Sequence, residues 1–169
     1  MIAIRLEDPG DVPKLFRVYL EAFGRFQEAV LVNSLRENHG LLLSLVAISA
    51  PTLVGGVAFS PITLEPTVSG LHLAGLAPLA VLPAYQRQGI GSSLVQVGLQ
   101  QCREQGVDAV FLLGEPEFYG KFEFGPASSF NIRCEFEVLD TYWLAKELRP
   151  GALSGVSGLA RYRPEFQEL

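Results

Sequence analysis

The chain has 169 residues, of which 49% are hydrophobic and 18% charged, and its formal net charge is −5 at pH 7. This length suits one domain over residues 1–169, and the composition argues against extended disorder. The acidic balance argues against nucleic acid as a bulk partner. Cys102 and Cys134 lack metal-ligand spacing. We therefore expect neither a metal nor a disulfide framework, and reduced thiols are the default.

The sequence shows no pattern of a targeting or membrane-spanning segment. Its start has no basic residues followed by an apolar run, and the apolar segment Leu41–Ile48 is too short to cross a bilayer. We therefore expect a cytoplasmic protein without a membrane partner, present as a monomer or a homodimer.

The chain begins with a strand and two helices. Alternation over Ile2–Leu6 predicts the strand, and Asp11 is suited to cap the first helix, which Gly24 ends. The second helix is expected over Gln27–Asn38.

A hairpin should follow the two helices. Its strands are predicted over 41–49 and 53–60, where Gly55 and Gly56 weaken the second strand and favour a bulge. The segment 61–70 is then expected to be a turn-rich connector.

A strand, a glycine-bearing turn and an amphipathic helix follow over Gly75–Gln105. Pro78 cannot donate to a sheet ladder, so the strand should part from its neighbour there and leave backbone groups free for a ligand. The turn Gln86–Gly91, QRQGIG, matches the pattern (Q/R)-x-x-G-x-(G/A) at a helix start. Such a turn suits a phosphate or pyrophosphate, because the first helical N–H groups lack partners and Arg87 adds a cation. The alternative is an ordinary strand-to-helix turn; a dinucleotide fingerprint is excluded because Leu94 replaces its third glycine.

The remaining segments predict more strands and one short helix. Val107–Leu113 is a nearly continuous apolar run, typical of a strand buried on both faces, and it should lie parallel to the strand before the turn. A short helix is expected over Glu115–Phe122, followed by strands over Phe130–Phe136, Thr141–Leu148 and Gly158–Tyr162. These elements indicate a single α/β domain with a mixed sheet.

The central stretch resembles motif A of the GNAT N-acetyltransferase superfamily, in which this turn binds the pyrophosphate of acetyl-CoA. Pro78–Gln86, Phe118–Phe124 and Pro150–Gly158 are similar to its YhbS-like branch, over nearly the whole chain. The resemblance implies an α/β (α+β) fold with a mixed, mostly antiparallel twisted sheet of about seven strands, a parallel splayed central pair and about four helices.

The resemblance also implies acetyl-CoA as cosubstrate, without a metal. The expected coenzyme-binding residues are Leu79, Ala80, Val81, Gln86, Arg87, Gln88, Gly89, Ile90, Gly91 and Ser92. Backbone N–H groups around Leu79–Val81 are the candidates for polarising the thioester carbonyl.

Tyr119 is the side-chain candidate for catalysis. In GNAT enzymes a tyrosine after the fifth strand, often within Y-x-x-x-G-F, protonates the coenzyme thiolate. The segment Tyr119–Phe124 matches at the tyrosine and the last phenylalanine, whereas Glu123 replaces the usual glycine, so the turn there is expected to differ. The alternative for Tyr119 is a core aromatic packed among Phe118, Phe122 and Phe124.

No general base stands out in the sequence. Glu28, Glu65, Glu117 and His72 lie in segments that could border a cleft, but each is more often a solvated group, and water is the alternative proton carrier. We expect direct transfer of an acetyl group to a primary amine of a small molecule or peptide. The alternatives are a longer acyl-CoA, an O-acceptor, or a non-catalytic acyl-CoA-binding module.

Overall fold

A computed structural model describes all 169 residues of the chain. The strands are β1 (Ala3–Leu6), β2 (Leu43–Ser49), β3 (Thr52–Glu65), β4 (Leu73–Val81), β5 (Ala109–Leu113), β6 (Gly125–Pro126), β7 (Ile132–Cys134), β8 (Trp143–Glu147) and β9 (Gly158–Arg161). The α-helices are α1 (Val12–Phe23), α2 (Gln27–Glu37), α3 (Ile90–Glu104) and α4 (Pro116–Gly120). No helix is long and apolar enough to cross a membrane.

The strands form a mixed sheet in the order β1-β2-β3-β4-β5-β8-β6. Along this path only β4 and β5 run parallel, and every other neighbouring pair is antiparallel. Strand β9 pairs with the far end of β3 and, in parallel, with β7. The predicted fold class and the parallel central pair are confirmed; the sheet has nine strands because it includes short ones such as the two-residue β6.

Helices pack on both faces of the sheet, and two glycines of β3 bring them close. Successive strand residues point to opposite faces. A Cβ on Gly55 would lie 3.2 Å from Leu94 Cδ1 of α3, whereas one on Gly56 would lie 3.2 Å from Tyr19 Oη of α1. The expected bulge lies beside this pair at Val54, which has no partner in β2.

The second half of the chain is held to the sheet by aromatic packing. Trp143 of β8 stacks on Phe111 of β5 with ring centroids 5.3 Å apart, and its Nε1–H donates to the Ile132 carbonyl at 3.0 Å. Tyr162, just after β9, packs against Trp143 and Phe166, so the C-terminal segment is ordered against the core, as predicted.

The prediction that Asp11 caps α1 is wrong. Its backbone is helical, with φ −81° and ψ −20°, and its side chain makes no cap bond to α1. The carboxylate instead accepts the Asp8 N–H at 2.8 Å and the Arg5 Nη2–H at 3.0 Å. Asp11 therefore closes a capping box around the 3-10 turn that precedes α1.

The predicted connector over residues 61–70 is also wrong in part, because β3 continues to Glu65. Pro61 lies between Phe59, the last residue paired with β2, and Thr63, the first paired with β9. At Pro61 the edge of β3 that pairs with β2 and then with β9 has no partner, and a strand tolerates proline at such a position.

Strands β4 and β5 pair only over Leu73–Gly75 and Ala109–Phe111. On its other edge β4 bulges against β3, where Ala77 and Pro78 lie opposite Ala58. The predicted separation of the two strands is confirmed, although it begins after Gly75, ahead of the proline. It leaves one edge of β4 unpaired beside the turn into α3.

Candidate active site

The turn between β4 and α3 contains two residues in the left-handed region, Arg87 with φ +63° and Gly89 with φ +83°. Gly89 is the N-cap of α3, and its carbonyl accepts the Ser93 N–H at 3.0 Å. The N–H groups of residues 90–92 have no acceptor in the protein, as expected for a first helical turn. Three donors therefore point out of the positive end of a 15-residue helix.

These donors open into a cavity of about 510 Å³, which we call the turn cavity. Its lining residues are Leu79, Ala80, Val81, Tyr85, Gln86, Arg87, Gly89, Ile90, Gly91, Ser92, Phe118 and Lys121. Every predicted coenzyme residue except Gln88 lines it. Tyr85, Phe118 and Lys121 were not predicted, and the last two reach it from α4 and the residue after α4, which sequence spacing cannot reveal.

The turn cavity is electropositive in an acidic protein. Its charged lining residues are Arg87 and Lys121, and no carboxylate lines it. The Lys121 Nζ lies 4.5 Å from the centroid of the Phe118 ring, a cation–π contact that holds the cation beside the helix start. Two cations and three free N–H groups together suit an anionic ligand.

A second cavity of about 610 Å³ shares Leu79 with the turn cavity, and we call it the apolar cavity. Eleven of its 14 lining residues are hydrophobic. They include Phe23, Leu31, Leu76, Leu79, Leu113, Tyr119, Phe136, Tyr162, Phe166 and Leu169, and the charged lining residues are Arg25 and Glu28. Because Leu79 lines both cavities, they meet at the strand segment that has left its parallel neighbour.

Tyr119 lies in the apolar cavity rather than among the turn residues. Its ring packs edge-on against Phe118 and Phe124, with centroids 4.9 and 5.8 Å away. The hydroxyl has no protein hydrogen bond, and it is not among the fully enclosed unpaired groups, which are Tyr19 Oη and Ser60 Oγ. The residue lines the cavity, and its hydroxyl is free to bond a ligand. Burial raises the pKa of Tyr119 to about 12, so the hydroxyl is protonated at neutral pH.

The turn after α4 keeps a glycine-type backbone. Glu123 has φ +69°, in the left-handed region that glycine favours. Its N–H donates to the Gly120 carbonyl at 3.0 Å, and the next N–H, of Phe124, donates to the Tyr119 carbonyl at 3.3 Å. The glutamate therefore takes a left-handed backbone conformation that is strained for a residue with a Cβ.

Of the four candidate general bases, Glu28 is the one that lines a cavity. Only 6% of the residue is exposed, and its carboxylate accepts the Arg25 Nε–H at 2.9 Å and also an Nη2–H of Arg25. Arg25 was not predicted, because it lies in the short loop between α1 and α2 and reaches Glu28, in the first turn of α2, from outside the helix.

The other three base candidates line neither cavity. Glu65 pairs with Arg161, whose Nε lies 2.5 Å from the carboxylate. His72 has 73% of its side chain exposed and lies near Asp108, and Glu117 is exposed on α4. The structure contains no cluster of His, Cys, Asp and Glu that could hold a metal ion.

Comparisons with known proteins agree with this geometry. A family model described as Acetyltransferase (GNAT) family matches residues 11–124. The Escherichia coli (strain K12) protein described as "Uncharacterized N-acetyltransferase YhbS" is 37% identical over 98% of this chain and 99% of its own.

Two solved structures extend the likeness. The crystal structure of the Escherichia coli YhbS protein in complex with CoA superposes with a TM-score of 0.93 at 36% identity, covering 98% of this chain and 92% of the other. A Brucella melitensis GNAT family acetyltransferase in complex with acetyl-CoA gives a TM-score of 0.82 at 30% identity, covering 98% of each chain.

Proposed function

Since the chain belongs to the GNAT family of acetyltransferases, we propose that it transfers the acetyl group of acetyl-CoA directly to a primary amine of a small molecule or peptide. The observation that carries the proposal is the meeting of the turn cavity and the apolar cavity at Leu79. One cavity suits the phosphates of a coenzyme, and the other holds a protonated tyrosine and a carboxylate beside an apolar space. The relatives solved with CoA and with acetyl-CoA support the choice of coenzyme.

The residues of the turn cavity fit a pyrophosphate. In this proposal the free N–H groups of residues 90–92 donate to its oxygens, and the Arg87 guanidinium adds a full positive charge. Gly89 supplies the left-handed backbone that aims those N–H groups outward. Gln86 fixes the turn to the strand end, since its Nε2–H donates to the Val81 carbonyl at 3.0 Å.

Bound acetyl-CoA supplies the acetyl group as a thioester, so a carbon–nitrogen bond forms to the amine as the carbon–sulfur bond breaks. The protein has three tasks in this reaction. The unpaired edge of β4 near Leu79 offers backbone N–H groups to the carbonyl oxygen. Tyr119 gives the departing thiolate a proton, and the proton lost by the amine leaves through water or through Glu28.

Direct transfer is supported by the positions of the two cysteines. An acyl-enzyme route through a thiol needs a cysteine at the junction of the cavities. Cys102 is on the buried face of α3, where burial raises the pKa of its thiol to about 12, and Cys134 lines neither cavity. Without such a thiol, positioning of the two substrates supplies much of the acceleration.

Calorimetry with coenzyme A, followed by thiol release from acetyl-CoA over a panel of primary amines, tests the proposal. We expect coenzyme A to bind and thiol release to depend on the amine. Coenzyme binding without amine-dependent release across the panel would show a non-catalytic acyl-CoA-binding module instead. A comparison of acetyl-CoA with longer acyl-CoA thioesters, and of amines with matched alcohols, separates the remaining alternatives.

A further inference from the structure

We propose that the acceptor is a primary amine carried on an apolar aliphatic or aromatic body, whose ammonium group binds Glu28 as the body enters the apolar cavity. The inference rests on the proposed function, because it specifies the second substrate of the same site. Three features of the cavity carry it: a buried carboxylate, apolar walls without other unpaired charge, and an apolar rim.

The first feature is the Glu28 carboxylate, which is buried at the cavity wall with one bidentate partner. Arg25 donates one hydrogen bond to each of its oxygens, and no other protein group donates to it. A carboxylate accepts about four hydrogen bonds, so about two positions remain for a ligand. An ammonium group carries three N–H donors and the opposite charge, and this makes it the ligand that matches those positions.

The second feature is the composition of the walls. Leu31 and Leu76 are buried side chains of the wall, and Phe136, Tyr162 and Phe166 add three aromatic rings. Once Glu28 holds both Arg25 and the ammonium group, no further carboxylate lines the cavity, so a second cation on the acceptor would enter an apolar space without a counter-ion. The cavity therefore disfavours polyamines.

The third feature is the rim, where large apolar side chains remain exposed. Phe23, Leu113 and Leu169 line the cavity and are 40%, 39% and 51% exposed. Their apolar surface continues from the walls to the solvent, so the body of the acceptor can extend outward while staying in apolar contact.

Matched amines test the inference on the unmodified protein. Hexylamine and phenethylamine represent the proposed class; 2-(2-aminoethoxy)ethanol has a similar length with a polar body, and spermidine carries extra cations. We expect kcat/KM for hexylamine to exceed that for the ether amine by about tenfold or more, because burying two methylene groups already supplies that factor. Spermidine should be poorer still.

Two pairs of variants locate the effect. Glu28→Gln should lower kcat/KM for hexylamine by about 10- to 100-fold, mainly through KM, because a charge-assisted bond to the ammonium is lost. Glu104→Gln, at the exposed end of α3, should leave it unchanged. Phe23→Ser should lower kcat/KM for hexylamine more than kcat/KM for the ether amine. The control is Phe26→Ser, since Phe26 is 62% exposed and lies outside the cavity.

The outcomes separate this inference from the proposed function. A preference for the ether amine or spermidine, or equal rates for all of them, overturns the inference while leaving acetyl transfer intact. Coenzyme binding with no acetylation of any amine overturns the proposed function. If Glu28→Gln does not fold, shown by lost coenzyme binding, the amine panel and the Phe23→Ser comparison still decide the question.

Discussion

Gly75 of β4 and Phe111 of β5 form the last residue pair between these two parallel strands. Beyond them the strands separate, and the gap becomes the junction of the turn cavity and the apolar cavity at Leu79. The Tyr162 ring packs tightly over Gly75, where an added Cβ would lie 2.9 Å from its Cε2 atom. The same aromatic side chain therefore covers the end of the pairing and lines the apolar cavity.

Gly89→Val should weaken coenzyme A binding by about 10- to 100-fold, because the strained turn no longer aims its N–H groups at the phosphates. The matched control is Gly106→Val at the other end of α3. Gly106 has φ +85° and Gly89 has φ +83°, and a Cβ added at either position would meet no other atom within 4 Å. Both variants should lose similar stability. Calorimetry that finds coenzyme affinity unchanged in Gly89→Val, or reduced equally in both, contradicts the assignment.

Tyr119→Phe should slow the chemical step by about 10²- to 10⁴-fold while coenzyme affinity stays nearly unchanged, because a general acid is removed and the packing is kept. Single-turnover kinetics measure this step. Tyr142→Phe is the control, since that tyrosine lines neither cavity. Because the pKa of Tyr119 is about 12, deprotonation of Tyr119 should not reduce the rate below about pH 11. A chemical step unaffected by Tyr119→Phe would remove the residue from the mechanism.

Glu123→Gly should stabilise the protein by about 0.5–1 kcal/mol, since relief of left-handed strain exceeds the added entropy of the unfolded chain. The Glu123–Lys146 ion pair, at 3.2 Å and with an exposed carboxylate, offsets little of this gain. Glu123→Ala is the control because it removes the ion pair but keeps the Cβ, so it should not stabilise. Urea unfolding compares the three proteins; equal stability of the glycine and alanine variants would mean that no strain is released.

Glu165 should contribute to acid sensitivity. Its carboxylate accepts from Arg163 Nε at 2.9 Å and from Asn38 Nδ2 at 2.9 Å, and these bonds, led by that from Arg163, lower the pKa of Glu165 from 4.5 to about 2. A lowered folded-state pKa gives stabilisation that is complete above 4.5 and lost as the pH falls toward 2. The difference in unfolding free energy between the unmodified protein and Glu165→Gln should therefore shrink over this range. A difference that stays the same between pH 4.5 and pH 2 would contradict this assignment.

The turn and its helix could be predicted from the sequence because their determinants are local. Two glycines around one residue, followed by apolar residues at helical spacing, are enough to indicate where α3 begins. The strand over Val107–Leu113 could also be predicted, since a strand buried on both faces leaves a continuous apolar run in the sequence.

The apolar cavity could not be predicted in the same way. Phe23, Leu76 and Tyr162 come from three distant segments, and only tertiary packing brings them together. The predicted connector failed for a related reason: proline in β3 is tolerated because the strand changes partners at that step. Glu123 shows the limit of reading residue types, because the chain imposes a glycine conformation on a glutamate.

The most direct test of acetyl transfer is mass spectrometry of the amine after a single turnover, with enzyme in excess over acetyl-CoA and hexylamine as acceptor. We predict one N-acetylated amine for each coenzyme thiol released, and a lower rate for both products in the Tyr119→Phe protein. Thiol release without acetylated amine, or bound acetyl-CoA that yields neither product with any primary amine, would contradict the account.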